Sequence, residues 1–171
     1  MKEIKRAYEG TRFAVGMVEI LGRNGKKIQR EMVIHPGAVV ILPIIDANRI
    51  ILIRNERFAV EKTLWELPAG TLEPGESPLE TACRELIEET VYKSDSIKPL
   101  ITFYTTPGFC NEIMHAFVAR DLTLVGQQLE DSENIEPIIV DWKKACAMIQ
   151  SGEICDGKTI ATLLYFKTTQ E

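Results

Sequence analysis

Three glutamates lie close together near the middle of the chain. Glu85, Glu88 and Glu89 are spaced so that, on a helix, they project from neighbouring parts of one surface. Like charges at this spacing repel one another, and a divalent cation would relieve the repulsion. Because the acids are hard oxygen ligands, they favour Mg²⁺ or Mn²⁺. The alternative is a solvated acidic face on which Arg84 and Glu88 form an ion pair.

The residues before the glutamates predict where their helix begins. Ser77, Pro78 and Glu80 match the N-cap, the first position and the third position of a capping box. An apolar stripe that faces the protein is predicted at Leu79, Cys83, Leu86 and Thr90. We therefore expect a helix over residues 78 to 90.

Apolar runs predict the strands around this helix. Residues 12–21 and 28–34 flank the turn at 22–25 and predict an N-terminal β-hairpin. The continuous apolar runs at 38–42 and 50–53 predict strands buried on both faces. Further strands are predicted at 100–104, 113–118 and 138–140, helices at 141–150 and 158–166, and a long connection at 65–75. This mixture predicts an α+β fold, an α/β/α sandwich with helices flanking a central mixed sheet.

Composition limits the class of protein. The 171 residues are 45% hydrophobic, which fits a single domain over residues 1–171. The 20 Lys and Arg are outnumbered by 25 acids, so we expect no nucleic-acid partner. No apolar run could span a bilayer and no signal peptide is evident, so we expect no membrane partner and a cytoplasmic location. The four cysteines form no C-x-x-C pair and are expected to be reduced and buried.

The segment from Gly70 to Tyr92 resembles the signature of the Nudix hydrolases, G-x5-E-x7-R-E-U-x-E-E-x-G-U, where U is a bulky apolar residue. Glu76 and the run from Arg84 to Tyr92 fill the remaining positions, except that Val91 stands where the family has glycine. A glycine there commonly ends a helix in the left-handed conformation, which valine resists. We therefore expect the end of the helix to differ locally from the family pattern.

The resemblance implies the roles of the residues in this segment. Glu85 and Glu89 would hold the divalent ions together with the backbone carbonyl of Ala69, and Glu88 would be an auxiliary ligand or a base. Arg84 would orient an acid such as Glu76. The ions would neutralise the oxygens of a pyrophosphate and activate a water that attacks one phosphorus.

Flanking residues resemble the ADP-ribose pyrophosphatase subgroup. The resemblance lies in residues 31–39 and 65–70 and in Pro107, sixteen positions after Val91. It implies hydrolysis of ADP-ribose to AMP and ribose 5-phosphate. The alternatives are a hydrolase of another nucleoside diphosphate sugar, such as GDP-mannose or ADP-glucose, and a catalytically silent Nudix sensor of nucleotides.

In that subgroup an acid on a loop beyond the core is the catalytic base, which here implies Glu133, with Glu130 and Glu136 as rivals. Arg57 is the candidate for binding the diphosphate, with Arg54 as its rival. Glu66 and Pro107, within the resembling segments, are also candidate substrate-binding residues.

Similar enzymes are homodimers in which the N-terminal strands cross to the partner. The corresponding region here is residues 1–36, and it would be exchanged or packed across the dimer. Phe13 and Arg30 could then hold the adenine with an aromatic face and a stacking guanidinium. Both residues could equally have a structural role.

Overall fold

The computed structural model describes residues 4–126 and 135–169, which form ten strands and three helices. The strands are β1 (Ile4–Glu9), β2 (Ala14–Leu21), β3 (Lys27–Ile34), β4 (Ala38–Pro43), β5 (Arg49–Arg57), β6 (Lys62–Glu66), β7 (Ala69–Thr71), β8 (Tyr92–Tyr104), β9 (Ile113–Leu124) and β10 (Ile135–Asp141). The helices are α1 (Pro78–Glu89), α2 (Trp142–Ser151) and α3 (Gly157–Thr169).

The N-terminal strands form an antiparallel sheet of their own. β2 and β3 are the predicted hairpin, and β1 adds a third strand at the edge beside β2. The prediction missed β1 because half of its residues are charged and it shows no apolar alternation. Every residue of β1 is exposed, so backbone hydrogen bonds to β2 hold it in place.

The central sheet has four strands in the order β7-β4-β9-β8 and is mixed, as predicted. β4 runs parallel to β9, whereas β7 and β8 are antiparallel to their neighbours. All six residues of β4 are buried, which confirms a strand covered on both faces. Val39 and Ile41 pack against Ala82 and Leu86 of α1 on one face.

The opposite face of β4 joins the larger part of the core. Val40 and Leu42 pack there with Leu52 of β5, Met148 of α2 and Leu163 of α3. β5 is the middle strand of a second antiparallel sheet, β10-β5-β6. The central sheet therefore lies between α1 and a layer formed by the second sheet, α2 and α3, which confirms the α+β sandwich.

The segment predicted as a long connection, residues 65–75, contains the end of β6 and the whole of β7. Pro68 separates them, and β7 has only three residues including a glycine, so neither the apolar alternation nor the length of an ordinary strand is present. The register is fixed by the partner strand: the N–H of Ile41 donates to the carbonyl of Pro68 over 2.8 Å. This pairing brings β7 beside α1.

The predicted departure at the end of α1 is wrong. Thr90 is the C-cap, and Val91 adopts φ of 95°, a left-handed conformation of the kind that glycine favours. The Val91 carbonyl accepts hydrogen bonds from the N–H groups of Val125, over 2.8 Å, and Gly126, over 3.3 Å. These bonds from the two residues that follow β9 hold the valine in a conformation that its side chain disfavours.

The cysteines were predicted to be buried, and this is wrong. Cys83, Cys110 and Cys146 are partly buried and Cys155 is exposed, and all four are free thiols. None of them contributes to the fully buried core.

Candidate active site

The start of α1 is fixed by the predicted capping box. The Oγ of Ser77 accepts from the N–H of Glu80 over 3.3 Å, and the carboxylate of Glu80 accepts from the N–H of Ser77 over 2.8 Å. Pro78 occupies the first turn, where its missing N–H costs nothing. The cap therefore sets which residues of the helix face the sheet.

The buried face of α1 differs from the predicted stripe. Leu79 is 46% exposed and Cys83 only partly buried, whereas Ala82 and Leu86 are fully buried. The prediction is confirmed at Leu86 and Thr90, which are fully buried, and is wrong at Leu79 and Cys83. Two acids share the buried face instead: Glu85 is 7% exposed, and Glu89 is also buried. Buried carboxylates require specific partners, because desolvation disfavours their charge.

β7 supplies the surface against which these two acids lie. The N–H of Ala69 donates to the Glu89 carboxylate over 2.8 Å. At Gly70 an added Cβ would lie 1.7 Å from Oε1 of Glu85, so a side chain larger than hydrogen does not fit. The first glycine of the sequence pattern is thus required for close approach of the helix acid to the strand.

Arg84 connects the other acids of the pattern. Its guanidinium donates to Glu76 over 3.1 Å, to Glu85 over 2.8 Å and to Glu88 over 2.9 Å. The Arg84 hydrogen bond, acting against desolvation and together with one from Thr81, lowers the pKa of Glu76 to about 2. The hydrogen bond to Glu76 in turn raises the pKa of Arg84. Arg84 therefore orients Glu76, as the resemblance implied, and also forms the ion pair with Glu88 that was the alternative.

A second charged group lies at the end of β5. Both oxygens of Glu66 accept hydrogen bonds from Arg57, over 2.8 and 2.7 Å, and Lys158 of α3 also binds this carboxylate. Glu66 is only 1% exposed. Burial raises the pKa of Glu66, but the two cations outweigh it, and the pKa lies below its usual value. Lys158 also pairs with Asp156 over 3.0 Å.

The acids of α1, Arg84 and Arg57 line a cavity of about 940 Å³. Helix α1 contributes its acids and Arg84, β5 and the loop after it contribute residues 55–59, and the β7–α1 connection contributes a third wall. The lining residues are Thr11, Arg12, Pro36, Asn55, Glu56, Arg57, Phe58, Ala59, Ala69, Thr71, Leu72, Glu73, Pro74, Glu76, Arg84, Glu85, Glu88 and Glu89. The cavity thus brings the acids of α1 together with two arginines from other elements, Arg12 and Arg57.

The structure brings most of the predicted metal and phosphate residues together. Those that line the cavity are Ala69, Glu85, Glu88, Glu89 and Arg57. Glu66 does not line the cavity, and instead accepts two hydrogen bonds from the guanidinium of Arg57. The rival Arg54 lies over the Trp65 ring, 5.2 Å from its centroid, and is not part of the cavity.

The remaining predicted residues lie elsewhere. Phe13 is 46% exposed beside Tyr8, Arg30 is exposed on β3, and Pro107 is exposed in the turn after β8. None of the three lines the cavity of a single chain, and their contact with substrate stays a prediction. Glu133 and Glu130 lie outside the described residues, and Glu136 is exposed on β10.

Sequence reasoning missed Arg12 and Lys158. Arg12 reaches the cavity from the turn before β2, and only its position beside Phe13 could have pointed to it. Lys158 acts through Glu66 from 92 residues along the chain, and no local pattern identifies such a partner.

The donors at the cavity fit a hard divalent cation in type, since Glu85, Glu88, Glu89 and the backbone of Ala69 offer oxygen only. As they stand, no group of three His, Cys, Asp or Glu side chains within residues 4–126 and 135–169 is arranged to hold one ion. The reason is that Arg84 binds Glu85 and Glu88 while the Ala69 N–H binds Glu89. An ion would replace part of these contacts.

The NUDIX domain family matches residues 34–163, which include the whole of α1 and the two strands that line the cavity, β5 and β7. The chain belongs to the Nudix hydrolase family. As a Nudix hydrolase it is a pyrophosphohydrolase of a class that in general depends on divalent metal ions. The family predicted from the sequence is confirmed.

Two curated relatives have nearly equal similarity to this Nudix hydrolase. An ADP-ribose pyrophosphatase of Bacillus subtilis (strain 168) is 40% identical over 84% of this chain and 79% of that protein. A methanol dehydrogenase activator of Bacillus methanolicus is 39% identical over the same shares. The first relative confirms the resemblance to ADP-ribose pyrophosphatases.

A solved structure described as an ADP compounds hydrolase matches the fold with a TM-score of 0.84. It is 23% identical in sequence, and the match covers 97% of this chain and 90% of that chain. This similarity supports the fold of the Nudix hydrolase described above. Among the residues described, no helix has the length and apolar character needed to cross a membrane.

Proposed function

We propose that this Nudix hydrolase cleaves ADP-ribose to AMP and ribose 5-phosphate with Mg²⁺ or Mn²⁺. The observation that carries the proposal is the cavity that the acids of α1 line together with Arg57 and Arg12. Hydrolysis of a pyrophosphate needs cations beside its negatively charged oxygens and a carboxylate beside the attacking water. The lining of this cavity offers both. The similarity to an ADP-ribose pyrophosphatase supports the choice of substrate.

Glu85, Glu89 and the Ala69 carbonyl would hold the ion, and Glu88 is an auxiliary ligand or a base. The bound ion supplies charge that neutralises phosphate oxygens and makes water a stronger nucleophile. Water attacks one phosphorus, the bond to the bridging oxygen breaks, and a carboxylate accepts the proton of the water. We assign this proton to Glu133, with Glu88 as the alternative acceptor at the cavity.

Arg57 binds the diphosphate in this proposal. Glu66 holds two of its nitrogens, which fixes the plane of the guanidinium and leaves the rest of the group at the cavity. Lys158 also binds Glu66, so two cations share one carboxylate. The group of three residues therefore keeps a net positive charge for the diphosphate. Arg12 faces the cavity from the N-terminal sheet and could contact the same phosphates.

The second candidate is hydrolysis of another nucleoside diphosphate sugar. Of the two relatives that are almost equally similar, only the first is named for a substrate, so similarity by itself does not select one substrate. We propose in addition that the enzyme is a cytoplasmic homodimer in which residues 1–36 pack across the interface. Phe13 and Arg30 would then reach the adenine in the cavity of the partner.

The test is turnover of a substrate panel by the purified chain. We expect Mg²⁺- or Mn²⁺-dependent release of AMP from ADP-ribose at a higher kcat/KM than release of products from ADP-glucose or GDP-mannose. A higher kcat/KM for another sugar would select the second candidate. Tight binding of ADP-ribose without turnover with either metal would instead indicate a silent sensor.

A further inference from the structure

A second cavity, of about 350 Å³, lies at the opposite end of β5 from the cavity lined by Glu85, Glu88 and Glu89. Arg49 and Ile50 at the start of the strand line the second cavity, and Asn55 to Arg57 at its end line the first. At about 3.3 Å per residue, six residues of strand separate Arg49 from Asn55 by about 20 Å. The two cavities have no lining residue in common.

Two aromatic side chains form an apolar wall of the second cavity. Trp142 at the start of α2 and Phe166 near the end of α3 meet edge to face, with ring centroids 5.6 Å apart. Ile44, just after β4, and Ile50, at the start of β5, also line the cavity with apolar side chains. Surface of this kind can pack against a flat ring.

Three cations line the same cavity, together with one acid. Arg49 is paired with that acid, Asp46, over 2.7 Å. Arg120 lies over the Phe166 ring, 5.8 Å from its centroid, and Lys167 follows on α3. Within the described part of the chain neither Arg120 nor Lys167 forms an ion pair with a carboxylate. The net charge of the chain is −5, yet two cations beside the aromatic wall of this cavity have no carboxylate partner among the residues that the structure describes. The lining therefore favours an anion.

We propose that this cavity binds a small anion that carries a planar ring, and that a nucleoside monophosphate is the ligand class that fits it. The ring packs on Trp142 and Phe166, and the phosphate contacts Arg120 and Lys167. The backbone N–H of Trp142 already donates to the carbonyl of Asn48 over 2.7 Å. The first backbone N–H of α2 therefore does not bind the phosphate. The volume lies within the range of small-molecule sites.

The test uses the whole chain labelled with ¹⁵N, excess EDTA and AMP as the probe, with NMR of the indole N–H groups. The chain has two tryptophans, and Trp65 lines neither cavity. We expect the Trp142 signal to shift saturably while the Trp65 signal moves much less. Arg120→Gln and Lys167→Gln should each raise the Kd read at Trp142 about tenfold or more.

The matched control is Arg23→Gln, which removes the same charge from the exposed β2–β3 turn and should leave this Kd unchanged. Ribose 5-phosphate and adenosine, which lack the ring and the phosphate respectively, should bind more weakly than AMP. The proposal is overturned if AMP leaves the Trp142 signal in place, if both variants keep the Kd of the parent chain, or if ribose 5-phosphate binds as tightly as AMP. None of these results depends on turnover, so they leave the proposed hydrolase activity to its own test.

Discussion

The carboxylate of Glu85 lies directly over the α-carbon of Gly70. A Cβ at residue 70 would be 1.7 Å from Oε1 and 2.0 Å from Cδ of this side chain. Since Glu85 is only 7% exposed and is also bound by Arg84, the carboxylate has little room to move away. The position of the Glu85 carboxylate therefore depends on the absence of a side chain at Gly70.

Replacing Gly70 with alanine should displace Glu85 and reduce kcat/KM by roughly 10- to 100-fold, as for other groups that position metal ligands. Overpacking should also lower the free energy of unfolding by about 1–3 kcal/mol. Steady-state kinetics and urea unfolding measure the two effects. The control is Gly108→Ala, because an added Cβ there meets no atom within 4 Å. Equal loss of activity in both variants would contradict the packing argument.

Glu89→Gln should remove metal-dependent turnover while leaving the fold intact. The substitution keeps an oxygen that can accept from Ala69 N–H but removes the charge that a divalent ion needs. Because charge stabilisation by a metal is worth several kcal/mol, we expect a loss in kcat of at least about 100-fold. Titration with Mn²⁺ should show weaker binding, and far-UV circular dichroism should be unchanged.

Glu153→Gln is the control for this variant, since the substitution removes the same charge at an exposed residue just after α2. If Glu89→Gln keeps the turnover and the Mn²⁺ affinity of the parent chain, the ion is held by other residues.

Val91→Gly should stabilise the protein. Valine at φ of 95° costs about 1–2 kcal/mol, and glycine returns part of that gain as lost backbone entropy. We expect a net increase of about 0.5–1 kcal/mol in the free energy of unfolding, measured by urea titration. Val125→Gly, at the residue whose N–H binds the Val91 carbonyl, should be neutral or destabilising. A lower unfolding midpoint for Val91→Gly would show that the valine side chain contributes more than its backbone costs.

Glu76 should make stability depend on pH in acid. Its pKa is about 2 in the folded chain and near 4.5 for an unperturbed glutamate, so the unfolded state binds the proton first. Its contribution is full above pH 4.5 and is lost as the pH falls from there toward 2. Glu76→Gln should therefore destabilise the protein more at about pH 6 than at about pH 4. Urea unfolding at both values checks this, and an equal difference at both would exclude the coupling.

The features that could be predicted from the sequence are those that local chemistry determines. Ser77, Pro78 and Glu80 define the start of α1 without help from the rest of the chain, and the apolar run of β4 is buried whichever strands cover it. The spacing of Gly70 from the acids likewise identified the family.

The features that were missed depend on distant partners. Val91 is held in the left-handed conformation by the N–H groups of the two residues after β9, so the preference of valine itself gave the wrong expectation. β1 is recognisable only through β2, because its own side chains are all exposed. Lys158 is brought to Glu66 by the packing of α3, which no spacing in the sequence indicates.

Arg84 has a consequence for how the enzyme is produced in a cell. Because its guanidinium engages Glu76, Glu85 and Glu88, the acids of the cavity are neutralised in part by the chain itself. Folding therefore does not have to wait for a supply of the ion, in contrast to small domains whose structure forms only around a metal. We therefore expect newly synthesised chains to fold when the ion is scarce and to become active as its concentration rises.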